Sequence, residues 1–589
     1  MSLFSLLRNL LVIASVSQAA LFTSLDQIKQ FDYDFIVVGS GAGGGAVANR
    51  LSAVKNFKVL VIEAGLNTQG VQDIIVPGLA PLLVGSKFDW NFTTVPQPGL
   101  NNVSLGYPRG FAFGGSTAIN DIFYTRGSED DYNRWASVTG DSGWKFENLH
   151  PFFFANEKLV PPSSNRNVKG EFIPSLHSTT GMVSVSAPSF VTSQVSPRTL
   201  EVTTELPNEF PFNPDMNSGK PIGVSWLLYT VDHQGQRSYS ASSYLGPQFL
   251  SRPNLDVVIN TRVTRLLTTH SGSVPTIRTV QALTASGETF TLTASKEVIL
   301  SAGSIGTPTI LLHSGIGDAN ELNPLGIKTI VNLPSVGKNL SDQVSVGLSW
   351  ITTSTDPTDG DTANTTELAL ALAQWESTRT GPLTTHLNNH LGFKRLNANS
   401  EALKLFGDPS AGPNSPHIEL VISPGQSGAT HLLNVRATVV TPASRGSVTI
   451  NSNNPLDKPL INPNFLSSPF DLEALIEGVQ IVRDFATAKA WNGFVTAATG
   501  PFANATDTAS IKAAIQANAG TVFHPVGSAA MSSPNAQFGV VNPDLTVKKV
   551  TGLRIVDASI MPFVTAGHTQ VPVYVIAERA ASLIIQKWT

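Results

Sequence analysis

Three glycines and one acid near the amino terminus have the spacing of a site for a dinucleotide. Gly39, Gly41 and Gly44 form a Gly-x-Gly-x-x-Gly pattern, and Glu63 follows it by about twenty residues. The first glycine permits a tight turn, the second lets the backbone approach a pyrophosphate, and the third lets a helix lie close to a strand. The acid is placed to accept a hydrogen bond from a ribose hydroxyl. We therefore predict a dinucleotide-binding site here.

The segments around this pattern are those of a strand–turn–helix unit. Residues 35–38 are all apolar, as in a strand that is buried on both faces of a parallel sheet. Residues 46–51 continue as a helix whose amino terminus would face the anion. Residues 58–62 form a second strand, which ends at Glu63. The alternative, a glycine-rich turn without a ligand, accounts for neither the two strands nor the acid.

The composition excludes several classes of protein. The chain has 589 residues, of which 41% are hydrophobic and 14% charged, as in a well-packed globular protein of two domains. Its formal net charge is −4 and no long run of one sign occurs, so no basic face for nucleic acid is expected. No segment has the length and apolar character of a transmembrane helix.

The amino terminus has the features of a secretion signal that covers residues 1–19. Arg8 supplies a positive charge, residues 9–16 an apolar core, and Ser17-Gln18-Ala19 a small-x-small cleavage pattern. The alternative is a buried first helix. The chain has no cysteine, which excludes disulfides and thiolate chemistry. Five sequons suit a secreted glycoprotein, and they lie at Asn91, Asn102, Asn339, Asn364 and Asn504.

Secretion bears on the identity of the dinucleotide. A loosely held nicotinamide cofactor would be lost by dilution outside the cell, whereas FAD can be held permanently. This argument concerns plausibility rather than a motif, and it favours FAD.

Further stretches, in their order along the chain, carry a resemblance to a known family. They are residues 107–120, 303–317 and 337–342, together with three parts of the carboxyl-terminal region, 523–527, 553–559 and 567–572. In this combination they resemble the glucose–methanol–choline (GMC) oxidoreductases over essentially the whole chain after the signal. Within that family, four short stretches are similar to enzymes that oxidise aryl alcohols, namely 138–141, 170–174, 212–216 and 380–383.

The resemblance implies an α/β fold, α+β overall, with two domains. A doubly wound, Rossmann-like domain would bind FAD and consist of residues 32–105, 225–335 and 520–589. A second domain with an antiparallel sheet, residues 106–224 and 336–519, would bind the substrate. The alternating pattern of residues 445–450 fits a strand of such a sheet.

Two of the eleven histidines, His524 and His568, lie where the family has its catalytic pair. Oxidation of an alcohol removes a proton from oxygen and a hydride from carbon, and histidine suits proton removal near neutral pH. The resemblance implies that His524 is the general base and that His568 holds and orients the same hydroxyl. The flavin would take the hydride and then reduce dioxygen to hydrogen peroxide.

The resemblance also places residues around the cofactor. Asp557 and Ala558 would lie against the ribityl–pyrophosphate part, and Thr569 and Gln570 would begin a helix near the flavin ring. Some members link FAD covalently through a histidine near the position of Asn120, so this asparagine implies non-covalent FAD. The full set of expected cofactor contacts is Gly39, Gly41, Gly44, Glu63, Gly115, Ser116, Asn120, Val263, Asp557, Ala558, Thr569 and Gln570.

Three residues are expected to contact the substrate. Phe523 matches an aromatic side chain that lines the approach to the flavin in the aryl-alcohol-oxidising members. Asp121 and Ile422 stand where those members have aromatic side chains, and part of an aromatic wall is thereby removed. Asp121 either binds a polar group of the substrate or lies in a solvated channel. No metal site is expected.

The expected function is that of a secreted, FAD-dependent oxidase that converts primary alcohols, aryl or allylic ones in preference to sugars, to aldehydes. The first alternative is a dehydrogenase of the same family that uses quinone acceptors or acts on sugars. The second is a non-redox hydroxynitrile lyase that keeps FAD only as structure. The expected partners are a small alcohol and dioxygen, with neither nucleic acid nor membrane, and the expected state is a monomer.

Overall fold

A computed structural model describes residues 21–29, 31–356, 358 and 365–589. The expected secretion signal, residues 1–19, and the sequon at Asn364 lie outside the described residues. Of the other sequons, Asn91, Asn102 and Asn504 are exposed. Asn339 is different, because its side chain donates to the Pro562 carbonyl at 3.1 Å and accepts from the Arg445 guanidinium.

A six-stranded parallel sheet forms the first layer of the fold. The two strands expected beside the glycine pattern are present as Phe35–Val38 and Val59–Ile62, and every residue in them is buried. They lie next to each other inside the sheet, which explains why they are apolar on both faces. The spatial order is Leu21–Phe22, Leu255–Val258, Val59–Ile62, Phe35–Val38, Glu297–Leu300 and Leu553–Ile555.

The chain reverses its direction of travel across this sheet at the strand Phe35–Val38. Its neighbour on one side is Val59–Ile62, and its neighbour on the other is Glu297–Leu300. Crevices at such a switch point, outside the carboxyl ends of the strands, are where open α/β sheets bind their ligands. The helices Ala42–Ser52 and Gly303–His313 begin at this edge, and the closing helix Gln570–Trp588 packs against the first of them.

A seven-stranded antiparallel sheet forms the second layer. Its long strands are Val344–Thr352, Ile418–Ser427 and Thr430–Val439, and the helix Pro469–Ala486 covers one face of them. Its remaining strands are Gly223–Trp226, His390–Lys394, Val495–Thr499 and Gly520–Thr521. The predicted fold class, a parallel nucleotide-binding sheet joined to an antiparallel sheet, is confirmed.

Smaller elements connect these layers. A three-stranded antiparallel sheet, Thr261–His270, Thr276–Thr284 and Thr289–Thr293, follows the strand Leu255–Val258. The other helices of ten or more residues are Glu129–Thr139, Phe146–Asn156, Val195–Glu205, Thr365–Thr378 and Thr508–Asn518. Among the described residues, no helix is both long and apolar enough to cross a bilayer.

The predicted domain limits remain a prediction, but three strands pair differently from what those limits imply. Leu21–Phe22 precedes the first limit and pairs with the parallel sheet. Gly223–Trp226 spans the limit at 225 and belongs to the antiparallel sheet. Gly520–Thr521, placed in the FAD domain by sequence, pairs with Val344–Thr352 of the antiparallel sheet. The loop that carries His524 therefore begins in the second layer and ends against the first.

Candidate active site

One cavity of about 960 Å³ runs from the glycine turn to the histidine pair. It is lined by both histidines and by eleven of the twelve expected cofactor contacts. The exception is Gly44, where an added Cβ would lie 1.8 Å from the carbonyl oxygen of Gly39. This contact matches the expected role of the third glycine, which is to let the helix pack closely on the strand.

The glycine turn leaves open space where a pyrophosphate would approach. Gly39 has a φ of +98°, and a Cβ on it would lie 2.4 Å from the carbonyl oxygen of Ser301. At Gly41 the nearest atom to an added Cβ is the Cα of Gly115, 3.8 Å away, so that position borders the cavity. Gly115 itself has a φ of +57°. Two glycine backbones from distant segments thus shape this end of the site.

The acids expected near the cofactor are held by hydrogen bonds. Glu63 is 5% exposed, and its carboxylate accepts from the backbone N–H and hydroxyl of Ser40, at 2.8 and 2.6 Å, and from the Gly65 N–H at 2.7 Å. Asp557 accepts from the Gly303 N–H at 2.9 Å and the Thr307 hydroxyl at 2.6 Å. Burial raises the pKa of both carboxyl groups. Each acid also fixes the loop on which it lies.

Asn120 connects the segment that begins at Gly114-Gly115-Ser116 to the closing helix. Its amide donates to the Gln570 side chain and accepts from Nη1 of Arg237 at 2.8 Å. Gln570 begins the helix Gln570–Trp588, and Thr569 precedes it directly. Val263 and Glu63 line the same cavity. The structure thus brings the sequence-predicted cofactor contacts together along one path.

The features of this path fit FAD. The glycine turn provides backbone N–H groups at a helix amino terminus, where a pyrophosphate binds favourably. Glu63 lies at the end of the strand Val59–Ile62, where a ribose hydroxyl needs an acceptor. The buried hydroxyl of Ser304, which lines the cavity, has no partner among the described residues and is available to a ligand.

A buried carboxylate sets the shape of the loop that carries His524. Asp342 is 4% exposed and accepts from the backbone N–H of His524 at 2.8 Å. It also accepts from the hydroxyls of Tyr107 and Thr521, each at 2.6 Å. Burial raises the pKa of this carboxyl group. The carboxylate was part of a motif in the sequence, but its contact with His524 becomes visible only in the fold.

Phe523 has a strained backbone in the same loop. Its φ is +64°, a left-handed value that a bulky residue rarely adopts. Two contacts hold it there, since its N–H donates to Thr521 Oγ1 at 2.6 Å and its carbonyl accepts from Arg109 at 2.7 Å. Phe523 is 40% exposed and lines the cavity. Strain of this kind is characteristic of functional sites.

The two histidine rings lie close together and nearly perpendicular. Their centroids are 4.7 Å apart and their planes meet at 81°. Nδ1 of His524 lies 2.7 Å from Oε1 of Gln343, and Nε2 of His568 lies 3.0 Å from Oε1 of Glu419. Within the described chain, no protein atom hydrogen-bonds the second nitrogen of either ring. Each histidine thus keeps one ring nitrogen available to a substrate in the cavity.

The electrostatic surroundings keep His524 in its neutral form. Burial, the neighbouring His568 and the guanidinium of Arg109 hold the pKa of His524 well below its ordinary value of 6.5. A neutral imidazole accepts a proton, so His524 is suited to take one from a hydroxyl. When bound, FAD supplies the two-electron acceptor for the hydride that leaves the carbon.

Two of the three residues expected to contact the substrate line the cavity, and the third does not. Phe523 and Asp121 line the cavity, and the Asp121 side chain is 68% exposed there, with an oxygen 3.7 Å from Nε2 of His386. Ile422 does not line it, and that prediction is corrected: its side chain is 2% exposed and packs in the core of the second layer. Because side chains alternate along a strand, its neighbours Val421 and Ser423 face the cavity instead.

Comparison with known proteins identifies the family. Residues 33–345 and 442–577 match models described as GMC oxidoreductase. A pyranose dehydrogenase of Agaricus campestris is 42% identical over 577 residues, which cover 95% of this chain and 94% of that protein. The fold and the site are those of an FAD-dependent oxidoreductase. The chain belongs to the GMC oxidoreductase family, and the sequence-based prediction of family and cofactor is confirmed.

Solved structures agree with this assignment. An FAD-dependent oxidoreductase from Chaetomium thermophilum has a TM-score of 0.84 at 30% identity, covering 95% of this chain and 100% of that one. A fungal aryl-alcohol oxidase has a TM-score of 0.81 at 26% identity, with the same coverage of 95% and 100%. The similarity thus includes the whole arrangement of both layers.

Proposed function

We propose that this protein is a dehydrogenase that oxidises a hydroxyl group of a pyranose-type sugar. The observation that carries the proposal is the set of polar side chains that line the cavity in addition to the histidine pair. They include Asp121, Ser349, Asn388, Glu419, Ser423, Asn434 and Arg436. A sugar gives up hydrogen bonds to water at several hydroxyl groups when it is bound, and each group left unpaired weakens binding. Such a lining offers donors and acceptors to several of them.

The relatives support the same substrate class. Besides the protein from Agaricus campestris, two pyranose dehydrogenases of Leucoagaricus meleagris are 40% and 41% identical, and each match covers at least 95% of this chain. Their description as dehydrogenases favours an organic electron acceptor, such as a quinone, over dioxygen. This is the alternative that the sequence left open beside an oxidase.

Oxidation of an aryl or allylic primary alcohol by dioxygen, with release of hydrogen peroxide, is the second candidate. Two aromatic rings favour it. Phe123 contacts His568 edge-on, with ring centroids 4.8 Å apart, and Phe523 projects into the cavity. A flat substrate ring could stack between such walls. Both candidates share one reaction step, in which His524 accepts the hydroxyl proton while His568 orients the hydroxyl.

A comparison of substrates and acceptors separates the two candidates. We expect glucose to give a higher kcat/KM than 4-methoxybenzyl alcohol or 2,4-hexadien-1-ol, and 1,4-benzoquinone to outperform dioxygen. Asp121→Ala should lower kcat/KM for the sugar and leave that for the benzylic alcohol near wild type, because only the sugar needs the added acceptor. Turnover of benzylic alcohol alone, with peroxide formed in proportion, would establish the second candidate instead.

The proposal also covers how FAD is bound, whether the protein is exported from the cell and how many copies of the chain assemble. We expect non-covalent FAD, because Asn120 cannot form the linkage of a histidine, and acid denaturation should release all flavin through a filter. We expect export from the cell, supported by the pattern of residues 1–19, so the mature protein should begin near residue 20 and carry N-glycans. We expect a monomer, which sedimentation of the holoenzyme would test.

A further inference from the structure

We propose that Gln343 fixes the tautomer of His524 and thereby decides which ring nitrogen acts as the base. Gln343 directly follows Asp342, and its side chain is fully buried. It touches the histidine but not the substrate, so it is a positioning residue. The role rests on His524 being the base, which both candidate functions share, and it does not depend on which alcohol is oxidised.

The orientation of the Gln343 amide is set by three backbone carbonyls. Nε2 of Gln343 lies 2.9 Å from the carbonyl oxygen of Val440, 3.0 Å from that of Thr565 and 3.4 Å from that of Gly567. Carbonyl oxygens only accept hydrogen bonds, so the NH₂ end of the amide must point toward them. The amide oxygen is therefore the end that faces His524, at 2.7 Å from Nδ1.

This orientation determines where the imidazole proton lies. The amide oxygen can only accept, so Nδ1 of His524 must carry the hydrogen. A neutral imidazole has one N–H, so Nε2 then bears the lone pair. The opposite tautomer would place two acceptors against each other in a buried site, which strongly disfavours it. Gln343 thus presents the basic nitrogen on the side of the ring that the protein leaves free.

The same amide relates the two histidines to each other. Two of its three carbonyl partners, Thr565 and Gly567, lie just before His568 in the chain. The backbone N–H of Gln343 and the backbone N–H of His524 both donate to the same oxygen of Asp342, each at 2.8 Å. A carboxylate in place of this amide would face three carbonyl oxygens without a proton to offer them. An amide supplies the donor and the acceptor that the two sides require.

The tautomer can be measured directly in the holoenzyme. Protein labelled with ¹⁵N-histidine is examined by long-range proton–nitrogen NMR, which distinguishes a protonated from an unprotonated ring nitrogen. The His524 signals are assigned by their disappearance in His524→Ala. We expect Nδ1–H in the wild type and a substantial fraction of Nε2–H in Gln343→Met, which removes the acceptor and keeps the volume. Hydrogen on Nε2 of His524 in the wild type would overturn the proposal, whatever any variant does.

The kinetic consequence separates a tautomer effect from a structural one. We expect Gln343→Met to slow anaerobic flavin reduction by about 10- to 100-fold, by analogy with the loss that follows removal of a partner that orients a metal-binding histidine. FAD content and KM should stay near wild type. Gln97→Met provides the matched control, because Gln97 is also fully buried and bonds a carbonyl, at Val95, but does not touch either histidine.

Each outcome of the variants bears on the proposal. A Gln343→Met enzyme that keeps Nδ1–H and reduces flavin at the wild-type rate would overturn it. A loss of rate with unchanged tautomer, or an equal loss in Gln97→Met, would also overturn it, because the effect would then be structural. If Gln343→Met loses FAD, the wild-type spectrum decides alone, since hydrogen on Nδ1 of His524 supports the proposal and hydrogen on Nε2 overturns it. Failure of the sugar assignment leaves every one of these NMR readings unchanged.

Discussion

Nε2 of His568 lies 3.0 Å from a carboxylate oxygen of Glu419, a side chain that is 1% exposed. Glu419 comes from the antiparallel sheet, whereas His568 lies just before the closing helix that packs beside the parallel sheet. The backbone N–H of His568 donates to the hydroxyl of Thr125 at 2.8 Å, so the residue is held at its backbone as well as at its ring. The site is thus assembled where the two layers meet, with one partner for each histidine.

Glu419→Gln tests this contact. The amide keeps the size of the side chain but removes its negative charge and replaces one acceptor oxygen with an NH₂ donor, so the contact with the His568 ring is weakened and no longer fixed in one orientation. We expect anaerobic flavin reduction to slow by about 10- to 100-fold while FAD content is unchanged, as measured by stopped-flow absorbance. Glu477→Gln is the control, because Glu477 accepts from the Ser400 hydroxyl at 2.6 Å and does not line the cavity. Equal rates in wild type and Glu419→Gln would show that the charge of Glu419 does not contribute to flavin reduction.

His524→Ala tests the base. We expect flavin reduction to fall by at least the factor of about 10²–10⁴ that a positioned general base contributes. The flavin spectrum should persist, because the FAD path is formed largely by other segments. His568→Ala should also be severe, since the hydroxyl loses its second anchor. A His524→Ala enzyme that bleaches at near the wild-type rate would exclude His524 from proton transfer.

The pH dependence of flavin reduction follows from the lowered pKa of His524. A base whose pKa lies well below 6.5 stays neutral, and thus active, until the pH falls below that ordinary value. We expect the rate constant at saturating substrate to be constant from about pH 9 down past 6.5 and to decline only in more acidic solution. An inflection close to 6.5 that is lost in His524→Ala would contradict the electrostatic account.

The sequence predicted the nucleotide-binding part of the site well because its signals are local. The strand Phe35–Val38, the glycine turn and Glu63 lie within thirty residues of each other, and each residue type has a direct physical reason. Glu419, Gln343 and Asp342 could not be assigned in this way. Each contacts a histidine more than a hundred residues away, so only the fold brings them together. Two local signals were available, namely a glutamate among apolar residues in a buried strand, at Glu419, and the motif of residues 337–342 that contains Asp342.

Ile422 shows a second limit of sequence reasoning. Its alignment with an aromatic residue of the aryl-alcohol-oxidising members placed it one residue away from Val421 and Ser423, which do line the cavity. In a strand a shift of one residue moves a side chain to the opposite face of the sheet. The pairing of Ile422 with His390 and Val435 settles the register, and no local pattern in the sequence specified it.

A buried ionic cluster outside the cavity predicts how stability depends on pH. His177 lies between Glu157 and Asp215, at 2.5 and 2.8 Å. Burial alone would lower its pKa, but hydrogen bonds to Asp215 and Glu157 raise the pKa of His177 from 6.5 to about 9. Because the folded-state value is raised, this contribution to stability is complete below pH 6.5 and is lost as the pH rises toward 9.

Urea unfolding of wild type and His177→Gln at several pH values measures this contribution. The raised pKa corresponds to about 3 kcal/mol, so the difference in unfolding free energy between the two proteins should shrink by roughly that amount between pH 6.5 and 9. His270→Gln is the control, since His270 is exposed. A difference that is constant over this range would show that His177 is not charged in the folded protein.

Gly41→Ala and Gly44→Ala separate cofactor binding from folding. Gly41 has a φ of −63°, which alanine adopts readily, and its added Cβ would have no protein atom closer than 3.8 Å. The methyl group would instead occupy space at the cavity where the pyrophosphate approaches. We expect flavin-free Gly41→Ala to unfold at the wild-type temperature but to bind FAD at least about tenfold more weakly, as measured by quenching of FAD fluorescence.

Gly44→Ala should lower the unfolding temperature of the flavin-free protein as well, because its Cβ would lie 1.8 Å from the Gly39 carbonyl oxygen. Wild-type affinity in Gly41→Ala would mean that the cofactor takes another path through the cavity.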